Sequence, residues 1–292
     1  MHDTTILEAL TWAGDRLKAS GVSKLDAQVI LAACLAKPTA HLFAHGEEII
    51  QPDLYDQFQR FVERRARHEP VAYLLGRKEF YGRTFFVNAS VLVPRPETEI
   101  LVDIAKSFVT PTSIIIDVGT GSGAIALTLA ADTAHSVFAC DTDQQAIAVA
   151  RQNAEALGLK DRVIFGTGHL FEPFVERNIP IPQHLVVTAN LPYLTPWQVD
   201  TLDADVKDYE PRHALVGGAD GLALYDELFG QLKTYTHEAS RRGTPVRIDV
   251  VIEIDPSQAR TAPALVASHF PQARIDVVND LASRARFVVA RI

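Results

Sequence analysis

Apolar residues in the first 75 positions recur at helical spacing. Ile6, Leu7, Leu10 and Leu17 make one stripe, and Leu25, Val29, Ile30, Ala33 and Cys34 make a second. Leu54, Phe58, Phe61 and Val62 mark a third helix that turns basic at Arg60, Arg64, Arg65 and Arg67. A charge run of this kind is more often a solvated helix face than a binding site. Pro38 and Gly46 punctuate the region and Pro70 closes it. From Glu79 the period shortens, and residues 80–87 predict a β-hairpin with its turn near Gly82-Arg83. The run Val91-Leu-Val-Pro-Arg-Pro-Glu-Thr-Glu99 then leads into a helix. Pro96 suits a first turn, and Glu97 and Glu99 complement the positive end of the helix.

Beyond residue 100 strands and helices alternate. The pattern predicts strands at 113–117, 136–140, 162–165, 185–188, 246–254, 273–278 and 286–290. Helices are expected over 124–131, 144–157 and 222–235, and residues 178–182 read as an exposed loop. Such alternation defines an α/β fold, a doubly wound sheet with helices on both faces. Three parts are expected: an N-terminal helical domain over 1–75, a β-hairpin linker over 76–94 and an α/β domain over 95–292.

Composition narrows the class further. Hydrophobic residues make up 47% of the 292 positions and charged residues 22%, which suits a globular chain. A net charge of −8 argues against a surface built for nucleic acid. Cys34 and Cys140 stand in apolar surroundings without a CxxC or histidine context, so free thiols are expected. Met1-His-Asp-Thr-Thr5 has neither the basic nor the apolar region of a signal peptide, and no apolar run is long enough to span a bilayer. A soluble cytoplasmic protein is the expectation.

Two segments carry chemistry. Ile114-Ile-Ile-Asp117-Val-Gly119-Thr-Gly121-Ser-Gly123-Ala124 is a strand entering a glycine-rich turn and a helix. Gly119 and Gly121 permit positive φ and close backbone approach, and the helix start attracts an anion. Asp141, 24 residues after Asp117, ends the next strand, where a carboxylate accepts ribose hydroxyls. Read as GxGxG the loop fits binders of S-adenosylmethionine; read as Gly119-x-Gly121-x-x-Ala124 it also satisfies the dinucleotide fingerprint. The second segment, Asn190-Leu191-Pro192-Tyr193, decides between them. It follows the apolar strand 184–189, and Pro192 ends ladder pairing. The Asn190 side chain and the Pro192 carbonyl can each accept a hydrogen bond from a planar –NH2 group, while Tyr193 covers it. Hydride transfer has no use for that constellation, and methyl transfer to nitrogen does.

On these residues the chain resembles the peptide chain release factor glutamine N5-methyltransferases, the HemK or PrmC family. The run 91–99, the stretch Tyr209-Glu-Pro-Arg-His-Ala-Leu-Val-Gly-Gly-Ala-Asp-Gly-Leu222 and Glu253-Ile-Asp-Pro-Ser-Gln258 look like family segments. So do Asp280 with Arg286-Phe-Val-Val289, and, in the helical region, Lys24-Leu-Asp-Ala27 and Glu69-Pro-Val-Ala-Tyr-Leu-Leu-Gly76. The resemblance implies a Rossmann-like class I S-adenosylmethionine-dependent methyltransferase sheet. It implies a cofactor held by Asp117, Gly119, Thr120, Gly121, Ser122, Gly123, Asp141, His169, Leu170 and Asn190. Catalysis would fall to Asn190, Pro192 and Tyr193, and substrate contact to Asn190, Leu191, Pro192 and Tyr193, with no metal. The implied partner is a release factor bearing a Gly-Gly-Gln loop, which the helical domain helps to recognise; no nucleic acid or membrane is involved, and a monomer is expected.

Two positions depart from the family pattern. Leu191 stands where the tetrapeptide usually has proline, as it does in ribosomal RNA adenine dimethyltransferases. His169 stands where the family usually has an acidic residue beside the adenine. An adenine or cytosine amino-group methyltransferase, and a non-catalytic binding module, are therefore the competing readings.

Overall fold

The computed structural model describes residues 4–177 and 179–292. Met1–Asp3, which begin the segment examined for a signal peptide, lie outside the described residues, as does Asn178 of the loop expected over 178–182. The chain forms two compact units. One comprises residues up to Arg77 together with Asp203–Tyr209, and the other comprises Lys78–Leu202 and Glu210–Ile292.

The first unit is helical, with helices Ile6–Ala19, Leu25–Cys34, Thr39–Ala44, Pro52–Arg65 and Val71–Leu75. Thr5 and Glu8 start the first helix with a reciprocal capping box. Ile6, Ala9, Ala13, Leu17, Ile30, Leu31, Phe58, Val62 and Leu74 close its core. The second stripe differs from its sequence reading: Leu25 and Val29 are exposed, and Ala27, Ile30, Leu31 and Ala32 turn inward. In this apolar-rich helix more than one stripe can be drawn, and only the neighbours decide which is buried. The basic run also divides. Arg65 is buried and binds Asp26 at 2.7 Å and Asp205 at 3.4 Å, while Arg64 pairs with Glu69. The Tyr209 hydroxyl donates to the Arg67 carbonyl at 2.6 Å. Asp205 and Tyr209 thereby anchor the 203–209 excursion within this unit.

The second unit begins at Lys78, inside a hairpin of β1 (Arg77–Phe80) and β2 (Arg83–Phe86). Its turn is Tyr81-Gly82, both at positive φ, one residue earlier than the sequence suggested. Phe80 and Phe85 plug the hairpin into the core beneath the sheet.

Seven strands follow: β3 (Ser113–Val118), β4 (Val137–Asp141), β5 (Val163–Thr167), β6 (His184–Ala189), β7 (Arg247–Glu253), β8 (Arg274–Asn279) and β9 (Ala285–Arg291). Their order is β5-β4-β3-β6-β7-β9-β8. The first five are parallel, and β9 runs antiparallel to both β7 and β8. This is the Rossmann-like α/β class. Side chains alternate between faces, so Ile116, Cys140, Val187 and Val250 enter one core, and Ile115, Ala139, Val186 and Val251 the other. At the amino edge Ser113, His184 and Asp249 form a buried polar row, with His184 Nδ1 2.7 Å from Ser113 Oγ and Nε2 2.7 Å from Asp249.

All strands predicted after residue 100 are present. The helix Thr261–His269, which the sequence reading omitted, covers the sheet beside β8 and β9. Cys34 and Cys140 are free. Among the described residues no helix is long and apolar enough to cross a membrane.

Candidate active site

Between β3 and β6 the chain reverses its direction of travel across the sheet. At such a switch point the loops leaving the carboxyl ends of neighbouring strands splay apart and open a crevice. The loops after β3, β4, β5 and β6 deliver Gly119, Asp141, His169 and Asn190 to one cleft. Its wall includes Thr120, Gly121, Ser122, Leu170, Leu191 and Pro192 among the residues read from the sequence. Asp117, Gly123 and Tyr193 do not belong to that wall.

The glycine loop is held from two sides. The Gly119 and Thr120 N–H groups both donate to the Cys140 carbonyl at 2.9 Å, and Gly121 N–H donates to Asp141 Oδ2 at 2.9 Å. Asp141 Oδ1 accepts from Asp143 N–H. Burial pushes the Asp141 carboxyl above its usual range, while these two backbone donors pull it back. Gly119 has φ +72°, and a Cβ there would lie 2.7 Å from Leu191 Cδ2. Leu191 is thus packed onto the glycine loop, which locks the tetrapeptide to the strand β3 turn.

Asp117 lies behind the loop, fully buried, and accepts from the Thr120 hydroxyl at 2.7 Å and the Thr188 hydroxyl at 2.8 Å. Burial raises its pKa to about 6, and the two hydroxyls restrain the rise. Gly123 starts the helix Ala124–Thr133, and a Cβ there would press on Leu127 and Ala150. Both residues shape the loop from beneath.

His169 sits at the rim with Nε2 2.6 Å from Glu227 Oε2. A carboxylate is therefore present near this position, supplied by the helix Ala223–Arg241 rather than by residue 169. The pair is well exposed, so its own energy is small.

The tetrapeptide is fixed atom by atom. Asn190 Nδ2 donates to Thr98 Oγ1 at 3.2 Å and to Glu253 Oε2 at 3.1 Å. Leu191 N–H donates to the Tyr225 hydroxyl at 3.2 Å, which donates in turn to the Glu253 carbonyl at 2.5 Å. The Tyr193 hydroxyl donates to Glu253 Oε1 at 3.1 Å, and Gln258 Nε2 donates to the Tyr193 carbonyl. Gly217 lies so close to the Pro192 carbonyl that a Cβ would fall 2.1 Å from its oxygen. Burial pushes the Tyr193 and Tyr225 phenols up, so both remain protonated donors at neutral pH. Glu253, at the end of β7, is 1% exposed. Burial raises its pKa, and the Thr98 hydroxyl, the Arg286 charge and the Tyr193 hydroxyl oppose the rise. Arg95, on the cleft wall, binds buried Glu210 at 2.7 Å, and Glu210 also accepts from Val93 N–H.

Thr98, Glu253, Tyr225 and Gln258 received no site role from the sequence. The available signal was a carboxylate closing the apolar run Val250–Ile252, because a buried Glu needs partners or a function.

A Rossmann-like sheet whose switch-point cleft combines a glycine loop, an acid after the second strand and an Asn-Leu-Pro-Tyr turn defines a class I methyltransferase fold. Residues 8–76 match the family described as PrmC N-terminal domain, and residues 95–191 match ribosomal protein L11 methyltransferase (PrmA). A release factor glutamine methyltransferase of Bacillus anthracis is 34% identical over 98% of this chain and 99% of its own length. Its counterpart in Bacillus subtilis is 34% identical over 99% of this chain and 98% of its own. A solved ribosomal protein L11 methylase from Lactobacillus delbrueckii subsp. bulgaricus aligns with TM-score 0.42 and 17% identity, covering 68% of this chain and 78% of that one. The chain belongs to the release factor glutamine methyltransferase family.

Proposed function

We propose that this protein transfers the methyl group of S-adenosylmethionine to the side-chain amide nitrogen of the glutamine in the Gly-Gly-Gln loop of peptide chain release factors, as a cytoplasmic monomer. The observation that carries the reading is the orientation of Asn190. Its –NH2 end is turned inward onto two neighbouring acceptors, Thr98 Oγ1 and Glu253 Oε2, which leaves its carbonyl oxygen as the end for the cleft that the residue lines. An acceptor presented there selects a donor, which an amide –NH2 supplies. The nearly full-length relatives named above support the choice of glutamine.

The cleft wall fits the cofactor. The Asp141 carboxylate suits ribose hydroxyls, the Gly119–Ser122 backbone suits a charged terminal group, and Val118 and Leu170 supply apolar surface for a flat ring. Asp117 and Gly123 contribute by shaping the loop, and His169 with Glu227 borders the rim. When bound, S-adenosylmethionine supplies a methyl group made electrophilic by a positive sulfur.

An amide nitrogen is a poor nucleophile because its lone pair is delocalised into the carbonyl. Asn190 Oδ1 and the Pro192 carbonyl would each accept one amide proton, which turns the lone pair toward the methyl group. The same acceptors favour the positive charge that builds on nitrogen, so their contribution is larger in the transition state than before it. By analogy with oxyanion-hole donors, losing one contact costs about 3 kcal/mol. Tyr193 covers the amide and excludes water. Leu191 packs on Gly119, which supports a permissive role for its departure from proline. The helical part, residues 1–75, would recognise the factor.

The experiment is mass spectrometry of release factor, and separately of ribosomal RNA, after incubation with the protein and S-adenosylmethionine. One added methyl on the Gly-Gly-Gln peptide is expected. Methylation of RNA alone, or of neither, overturns the proposal.

A further inference from the structure

We infer that Glu253, acting with Thr98, is the positioning residue that sets the polarity of the methyl-accepting site by fixing which end of the Asn190 amide faces the cleft. The inference rests on the function proposed above and concerns residues that the sequence reading left without a role.

Thr98 Oγ1 donates its only proton to Glu253 Oε2 at 2.7 Å, so toward Asn190 it can act only as an acceptor. Glu253 Oε2, as part of a carboxylate, is likewise an acceptor. The Asn190 amide therefore meets two acceptors on its inner side, at 3.2 and 3.1 Å. A flipped amide would set Oδ1 against both oxygens and leave buried Thr98 Oγ1 without a donor, a costly arrangement at a site this dry. The other carboxylate oxygen holds the Tyr193 hydroxyl at 3.1 Å. One side chain thus orients both the acceptor and the ring of the tetrapeptide.

Glu253 is suited to the task because it is anchored independently. It ends β7, which is paired on both sides by β6 and β9, and its carbonyl accepts from Tyr225, which also holds Leu191 N–H. A shift of the tetrapeptide would break contacts at three of its residues at once. The Arg286 charge, on β9, opposes the rise that burial imposes on the Glu253 carboxyl. Thr98, 4% exposed, begins the helix Thr98–Phe108, whose apolar face is packed through Leu101, Val102 and Ala105.

Glu253→Gln keeps the shape and replaces one acceptor oxygen with a donor. With Tyr193 still donating to the remaining oxygen, the new –NH2 takes the Oε2 position, and there Asn190 satisfies it by turning its own oxygen inward, which presents a donor to a donor substrate. With release factor as substrate, turnover is expected to fall about 100-fold while KM and the dissociation constant for S-adenosylmethionine stay within about threefold. Thr98→Val, which deletes the acceptor without touching the carboxylate, is expected to act in the same direction, and Thr98→Ser to restore turnover. A second readout is independent of substrate. In protein labelled with 15N-asparagine, the Asn190 –NH2 resonances, identified by their loss in Asn190→Ala, should exchange slowly in the parent and quickly in Glu253→Gln.

Unchanged turnover in Glu253→Gln, or equal exchange in the two proteins, overturns the inference. If the parent leaves the release factor unmodified, the functional proposal falls, and the exchange measurement alone then decides the positioning role.

Discussion

Gly119→Ala tests the lock between the glycine loop and the tetrapeptide. Two costs are separable at this position. The backbone sits at φ +72°, where an L side chain is strained by about 1–2 kcal/mol. The new Cβ would also lie 2.7 Å from Leu191 Cδ2, inside contact distance of a residue that is 4% exposed. Overpacking of that kind costs about 1–3 kcal/mol. The single variant should therefore lose about 2–5 kcal/mol. Removing the obstructing side chain with Leu191→Ala relieves the collision and leaves the strain. In that background Gly119→Ala should cost only about 1–2 kcal/mol, giving a coupling of about 1–3 kcal/mol. Native-state hydrogen exchange at the β3 amides reads the opening free energy of the unit that contains both residues. A coupling below about 0.5 kcal/mol, the range expected for independent sites, refutes the contact as the reason for glycine at this position.

Three further outcomes follow from the same geometry. Asn190→Ala should lower turnover about 100-fold or more, with the S-adenosylmethionine dissociation constant by calorimetry unchanged within about threefold; full activity would remove Asn190 from the mechanism. Asp117 has a pKa of about 6 against an unfolded value of 3.8, so between those values the folded state binds the extra proton and stability falls as pH rises. That difference corresponds to about 3 kcal/mol; Asp117→Asn should flatten the slope of stability between about pH 4 and pH 6, and an unaltered slope would assign it to other groups. Arg65→Ala leaves Asp26 and Asp205 without this cation and should cost about 1–3 kcal/mol, with faster amide exchange over residues 203–209. Exchange that stays slow there would mean that Tyr209 and its neighbours hold the excursion without Arg65.

The sheet was legible because its central strands are buried on both faces, while β5 and β8 alternate or lie more open. A strand covered from both sides has to be apolar throughout, and the turns between strands and helices have to carry glycine, proline or a cap. That signal located β3 to β9 within a residue or two. It failed where burial depends on what a helix packs against, as at Leu25 and Val29, and where a cover is short, as in Thr261–His269.

The sequence by itself determined the order of the strands along the chain, the family resemblance, and the glycine loop, Asp141 and Asn190 turn that now line one cleft. It determined these because each depends on residues adjacent in the chain: a strand, then the loop that leaves its carboxyl end. Only the tertiary structure decided what holds that turn. Thr98, Asn190, Tyr225 and Glu253 are drawn from four segments across 156 positions, and nothing in local spacing marks them as neighbours. Their meeting is a consequence of the parallel register of β6 with β7, which sets Ala189 beside Ile252 and so brings the next residues, Asn190 and Glu253, together at the sheet's edge. The direction in which the Asn190 amide points is a property of that meeting, and the Asn-Leu-Pro-Tyr sequence alone does not contain it.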